Sequence, residues 1–294
     1  VWSWDKTTGE QKTKYKGHSD FVKSVVCGAV SGKNVLISGG ADRKIIVWDI
    51  ETGDKLHTLK DASDTMLAIQ HLAIDPLSSP EELILVSASS DPHLRFWKIT
   101  LESAGQILDI SSEETTTASA RGPVASTTVL AHETSVYRLY FDADEEDAPL
   151  YTASADGQAK LLSRPKWKTD EIFEHGDYVR SICTSEAWVI TAGRSEDVKL
   201  WDRGSGKLHH VYEGHYEEVL GLVVVDGGRS VVSVSIDGTL RVWPLTKPEV
   251  EVNRKERQDR LAGNVKEEVK EEKTGLLTAE EEAELAELMD SDDE

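Results

Sequence analysis

Short runs of β-branched and apolar residues recur along most of this chain, separated by Gly, Asp and Ser. Val35-Leu36-Ile37, Ile45-Ile46-Val47, Val231-Val232 and Leu240-Arg241-Val242 are examples. Runs this short, bounded by turn formers, predict β-strands rather than helices. The runs also share one internal metric. A Ser or Thr stands four positions before a turn residue, and a closing residue stands six positions after it. Ser38-Asp42-Trp48, Ser87-Asp91-Trp97, Thr152-Asp156-Leu162, Thr191-Ser195-Trp201 and Ser233-Asp237-Trp243 all obey it. The closing positions Trp4, Trp48, Trp97, Leu162, Trp201 and Trp243 lie 44, 49, 65, 39 and 42 residues apart. A period of roughly 40–45 residues predicts tandem four-stranded units, with an insertion in the long interval.

Four units open on a His, in Gly17-His18, Ala131-His132, Glu174-His175 and Gly214-His215, and two close on Val47-Trp48-Asp49 and Leu200-Trp201-Asp202. In these residues the chain resembles the WD40 repeat family, over residues 1–246. The resemblance implies an all-β propeller whose blades each hold four antiparallel strands, a to d, with strand a lining a central channel. It implies seven blades in the complete protein and about five to six here. On that analogy Val1-Trp2-Ser3-Trp4-Asp5 is a third strand, and on the order of 60 residues are expected upstream at ~40–45 per blade.

The resemblance further implies that the His, Ser/Thr, Asp and Trp of one unit form a buried hydrogen-bonded tetrad. Two sets are complete: His18, Ser38, Asp42, Trp48, and His215, Ser233, Asp237, Trp243. The unit at 62–97 lacks the His, with Ala62 taken as the slot. The unit at 132–162 has Leu162 for Trp, and that at 175–201 has Ser195 for Asp. Incomplete networks are expected to leave these three blades less rigid.

Charge narrows the partners. The chain is 294 residues long with a net charge of −21, and residues 249–294 hold 17 acidic against 7 basic side chains. Phosphate neutralisation needs a basic surface, so direct nucleic-acid binding is not expected. No apolar run reaches the ~20 residues of a membrane span. Two Cys, Cys27 and Cys183, lie in strand-like settings and are expected as buried free thiols in the cytoplasm or nucleus. Residues 102–127 are Ser/Thr-rich and without aromatics, as in a flexible insertion. Residues 247–275 are expected as a disordered charged linker. In 276–294, Thr278 and Glu281 match a helix capping box, and Leu285, Leu288 and Met289 share one face of a short amphipathic helix fit for a partner's groove.

No catalytic, cofactor or metal constellation emerges. Gly204-Ser205-Gly206-Lys207 lacks the rest of a phosphate loop and sits at a hairpin turn. His209, His210 and His215 have no further ligands at metal spacing. The repeat Asp residues are scattered over different units and do not form an acid–base pair. An enzyme is not expected, and binding remains. In the family the usual surface is the top face. Counted three and five residues from each His slot, or one before the turn residue, the resemblance places Phe21, Lys23, Leu67, Tyr137, Tyr178, Arg180, Arg194 and Leu220 there. Aromatics interleaved with Lys and Arg resemble a protein-binding hot spot, suited to acidic or phosphorylated peptides. A non-enzymatic scaffold, monomeric within a hetero-complex, is therefore the expected function. The rivals are a non-catalytic subunit of an RNA-processing or ribosome-assembly complex, and a substrate receptor of a cullin-type ubiquitin ligase.

Overall fold

The computed structural model describes residues 1–108 and 128–263. The capping box and the Leu285, Leu288, Met289 face lie outside the described residues, as do 109–127 of the Ser/Thr-rich segment. The chain divides into two units, Val1–Glu251 and Val252–Glu294.

The first unit is built from antiparallel sheets, each strand hydrogen-bonded to the next in sequence. Strands β1 (Trp2–Trp4) and β2 (Gln11–Lys14) pair alone. The first complete blade is β3 (Val22–Val30), β4 (Lys33–Gly40), β5 (Ile45–Asp49) and β6 (Lys55–Leu59). The second is β7 (Ile69–Ile74), β8 (Leu83–Ser89), β9 (His93–Ile99), β10 (Ala104–Gln106) and β11 (Val129–Leu130). The third is β12 (Val136–Phe141), β13 (Leu150–Ser154), β14 (Gln158–Ser163) and β15 (Lys168–Glu174). The fourth is β16 (Val179–Thr184), β17 (Trp188–Gly193), β18 (Val198–Asp202) and β19 (Leu208–Tyr212). A three-stranded sheet follows: β20 (Val219–Val225), β21 (Ser230–Ser235) and β22 (Leu240–Pro244). The first strands of consecutive blades, β3, β7, β12, β16 and β20, are spatial neighbours, which is the propeller arrangement.

Burial explains why the short apolar runs suffice. Ile45, Leu94, Ala159 and Val198 hold one register position in the third strands and are buried. Each faces the sheet of a neighbouring blade, so alternate residues on both faces are apolar. Leu240, at the same position of the β20–β22 sheet, is 71% exposed. A blade buries its face only against another blade.

Three expectations change. The segment expected as a flexible insertion interrupts a strand. It divides the fourth: β10 pairs with the Trp97–Ile99 half of β9, and β11 with the His93–Leu94 half. Residues 104–106 of the 102–127 segment are therefore strand. The charged stretch expected as a disordered linker begins with helix α1 (Lys247–Leu261). The Thr246 hydroxyl donates to the Glu249 carboxylate, Pro248 stands in the first turn, and Val250 is buried, so a side-chain bond across the first turn and one anchor start it. Cys183 is buried and Cys27 is exposed; both are free thiols.

Candidate functional site

Each complete tetrad is one directed chain of hydrogen bonds. Trp48 Nε1 donates to Ser38 Oγ (2.8 Å), Ser38 Oγ meets His18 Nε2 (2.8 Å), and His18 Nδ1 meets Asp42 Oδ1 (2.9 Å). The second set repeats this: Trp243 Nε1 to Ser233 Oγ (2.8 Å), then His215 Nε2 (2.7 Å), and His215 Nδ1 to Asp237 (2.9 Å). The indole can only donate and the carboxylate only accept, so the direction is fixed through the hydroxyl and the ring. Asp42 also accepts the backbone N–H of Ser19. Burial alone would raise its pKa, but the bonds from His18 and Ser19 hold it below the usual carboxylate range.

The degenerate units keep their networks by other means. With Leu162 in place of Trp, His132 still bridges Thr152 (2.8 Å) and Asp156 (2.8 Å). In the next blade the ring roles reverse. Trp201 Nε1 donates to Thr191 Oγ1, which meets His175 Nδ1 (2.9 Å), and His175 Nε2 meets Ser195 Oγ (2.8 Å). Burial first, and then the Lys199 ammonium, push His175 down to about 3. In the blade without a His, the buried Arg95 guanidinium takes the space. It bonds Asp91 (3.1 Å), Ser89 (3.2 Å) and Thr65 (3.3 Å), while Trp97 still donates to Ser87 (2.9 Å). Each degenerate unit thus keeps a hydrogen-bonded network, and an indole donor is lacking only at Thr152.

The tetrads fix the end of every first strand, and a repeated irregularity there creates the candidate site. The pairing register shifts between Val22 and Ser24, Ile69 and His71, Val136 and Arg138, Val179 and Ser181, and Val219 and Gly221. Each shift is a β-bulge that leaves one residue unpaired: Lys23, Gln70, Tyr137, Arg180 and Leu220. A bulge bends its strand and re-aims the extra side chain. Four of the five are residues the sequence placed on the top face. The fifth is a correction. Leu67 is not the equivalent of Lys23, because Ile69 matches Val22, so the His slot is Thr65 and not Ala62.

Backbone bonds confirm the register. Ala41 N donates to Phe21 O, Ser90 N to Ala68 O, Ala155 N to Ser135 O, Arg194 N to Tyr178 O, and Ile236 N to Glu218 O. Phe21, Ala68, Ser135, Tyr178 and Glu218 are thus equivalent. Leu67 is exposed, but its N–H caps Asp91 and it lies before β7. The missed signal was an apolar pair three apart, Ile69 and Leu72, matching Val22 and Val25, Val136 and Leu139, Val179 and Ile182, and Val219 and Leu222. Counting back from Ser87 cannot find it, because the first hairpin varies in length between blades.

The top-face residues form an interlocked set. The Arg180 guanidinium lies over the Tyr137 ring at 4.2 Å, and its Nε is 2.5 Å from Glu218 Oε1. Arg194 lies over Tyr178 at 5.2 Å. Arg180 thereby connects three consecutive blades. Phe21 is 80% exposed, and Tyr178, Arg194, Lys23 and Leu220 are exposed as well. The next residue of each first strand does a different job. Ser24 Oγ accepts the backbone N–H of Leu72 (3.0 Å), His71 Nδ1 that of Leu139 (3.4 Å), and Ser181 Oγ that of Leu222 (3.0 Å). Neighbouring blades are stitched directly beneath the bulges. Burial, and then Arg138, push His71 down to about 3, so the ring stays neutral and able to accept.

Among the described residues no helix is long and apolar enough to cross a membrane. The family model for the WD domain, G-beta repeat, matches residues 9–49 and 206–244, the segments that carry the two complete tetrads. The chain is 29% identical over 290 residues to an uncharacterised WD repeat-containing protein of Schizosaccharomyces pombe, covering 97% of this chain and 68% of that one. It is 24% identical to nuclear distribution protein nudF of Aspergillus niger, over 84% of this chain and 54% of the relative. To nudF of Emericella nidulans it is 27% identical, over 79% and 41%. It therefore spans about half or less of the length of these nuclear distribution proteins. Tetrads, blade topology and matched segments agree: residues 9–49 and 206–244 are WD40 repeats, and the chain is similar to WD repeat-containing proteins.

Proposed function

We propose that the protein is a non-enzymatic adaptor whose top face holds a partner protein or peptide bearing carboxylates or phosphate. The observation that carries this reading is the repeated bulge, which sets Lys23, Tyr137, Arg180 and Leu220 at one depth beside the exposed Phe21, Tyr178 and Arg194. Tyr137 and Glu218 hold Arg180 flat, so its remaining N–H groups are pre-oriented as a fork for an anion. Lys23 has no ion-pair partner among the described residues and supplies a second cation. Exposed aromatics beside these cations supply apolar area at low entropic cost.

The experiment is affinity purification of the full chain and of an Arg180→Glu/Arg194→Glu variant from the same cells, with the co-purifying proteins quantified by mass spectrometry. Loss of one or more partners, with an unchanged melting temperature, is the expected outcome. An unchanged set of partners refutes the reading.

A further inference from the structure

On the opposite side of the blades, where first hairpins and third-to-fourth-strand turns lie, a groove of about 1110 Å³ crosses three consecutive units. Its floor is the β16–β17 turn, with Ser185 and Ala187. One wall is the β12–β13 turn and the other is the β20–β21 turn with the segment after β22. We propose that this groove is a second docking site. Its occupant is an extended segment of a partner protein with an acidic and a basic side chain on either side of an apolar residue.

The walls are held in place before anything binds. Arg203 Nη1 donates to Ser185 O (2.9 Å), and its Nη2 joins Asp142 and Glu145, so the floor is tied to the first wall. Thr184 Oγ1 adds a bond to Asp142 (2.8 Å). Trp188 Nε1 donates to Leu245 O (2.8 Å) and Tyr212 Oη to Pro244 O (2.6 Å), which fix the other wall. Side chains locked in this way lose little freedom on binding. Gly227 and Gly228, both at positive φ, form the rim with no side chain across it.

The charges left over define the ligand. Arg203 is neutralised by its two carboxylates, but Asp144 and Glu186 on one side, and Arg229 and Lys247 on the other, are exposed and make no ion pair among the described residues. Val224 and Ala187, both partly exposed, provide apolar surface between them. The volume exceeds the ~300–1,000 Å³ usual for small-molecule sites, which favours a peptide. Opposite charges at the two ends set its direction, since the reversed segment meets like charges.

The test is selection of phage-displayed random twelve-residue peptides on the full chain, followed by titration of the enriched peptides as synthetic probes. Enriched peptides are expected to carry an acidic and a basic residue flanking an apolar one. Arg229→Glu/Lys247→Glu is expected to weaken them by at least about tenfold. Replacing the peptide's acidic residue by Lys is expected to restore binding to that variant, which a misfolded variant cannot do. Arg180→Glu/Arg194→Glu is expected to change nothing, which separates this site from the top face. The proposal is overturned by no enrichment, by peptides that bind Arg229→Glu/Lys247→Glu like the parent, by loss without rescue, or by dependence on Arg180 and Arg194.

Discussion

Arg95 Nη1 lies 3.1 Å from both carboxylate oxygens of Asp91, in the one blade whose tetrad has no His. The same guanidinium has its Nε 3.4 Å from Asp61 Oδ1. A histidine bridges one hydroxyl and one carboxylate; this arginine spans two carboxylates and two hydroxyls. The substitution sets a permanently charged guanidinium between two carboxylates, where the other blades have an imidazole beside at most one. Burying charges in this way stabilises little in itself, yet removing one partner leaves the others uncompensated.

Arg95→Met is therefore expected to cost about 3–5 kcal/mol, as for a broken buried ion pair, measured by urea unfolding. Asp91→Asn in that background is expected to recover part of the loss by removing the orphaned charge. The acid limb should move too. Burial raises the Asp61 pKa, but bonds from Thr65 and the charge of Arg95 outweigh it and hold Asp61 at about 2. A depressed carboxylate adds stability above its unfolded pKa of ~3.9, lost as pH falls towards the folded value. Without Arg95 the folded pKa of Asp61 rises towards the unfolded one, so less stability is expected to be lost as pH falls through this range.

His175 gives a second pH dependence, of the opposite chemical origin. Its folded pKa, about 3, lies below the unfolded value near 6.5. Between these values the unfolded chain binds a proton that the folded chain does not, so stability falls as pH drops below ~6.5. At ~1.4 kcal/mol per pH unit, this residue alone is expected to remove about 2 kcal/mol between pH 6.5 and 5. His71 acts in the same direction. Urea midpoints at pH 7, 6 and 5 for the parent and for His175→Gln check this. The variant should show the flatter profile, and parallel profiles would remove His175 from the account.

Most of this architecture was legible in the chain, because a Trp whose N–H must reach a Ser ten residues earlier enforces a fixed count along two paired strands. Ser38 to Trp48 and Ser233 to Trp243 keep that count, and so do Ser87 to Trp97 and Thr191 to Trp201. The count fails across first hairpins, whose length no hydrogen bond constrains, and there Leu67 was mistaken for Gln70. Arg95 was invisible for a different reason. Its position carries Lys160 and Lys199 in other blades, whose ammonium groups reach the carbonyls of Ala131 and His175. Only the absence of an imidazole lets an arginine there turn inward. Helix α1 was missed because charge density was weighed above the start signal of Thr246, Pro248 and Glu249.

The stitches between blades predict an asymmetry. Ser24, His71 and Ser181 accept a backbone N–H from the next blade, but Arg138, at the same register, has no acceptor atom. Its Nε is itself buried without a hydrogen bond, and burial lowers its pKa. Arg138→Ser is expected to raise stability by about 1 kcal/mol by adding the missing acceptor. Ser181→Ala is expected to cost about 1–3 kcal/mol by orphaning the Leu222 N–H. Thermal unfolding measures both, and hydrogen exchange of β20 locates the second.

Arg180 and Glu218 decide whether the top face is a strut or a site. Their ion pair is partly exposed, and the Tyr137 stack above it is open on one side. Exposed pairs of this kind contribute about 0.2–1 kcal/mol, and a cation over a half-solvated ring about as much. A double-mutant cycle of Arg180→Ala and Glu218→Gln is therefore expected to give a coupling below about 1 kcal/mol that shrinks with added salt. Energy that small cannot be what keeps three blades together, since each has its own network around His132, His175 or His215, and His71 and Ser181 add stitches at two of the junctions. A coupling above about 2 kcal/mol, insensitive to salt, would make Arg180 a structural brace and move the binding role to Lys23 and Arg194.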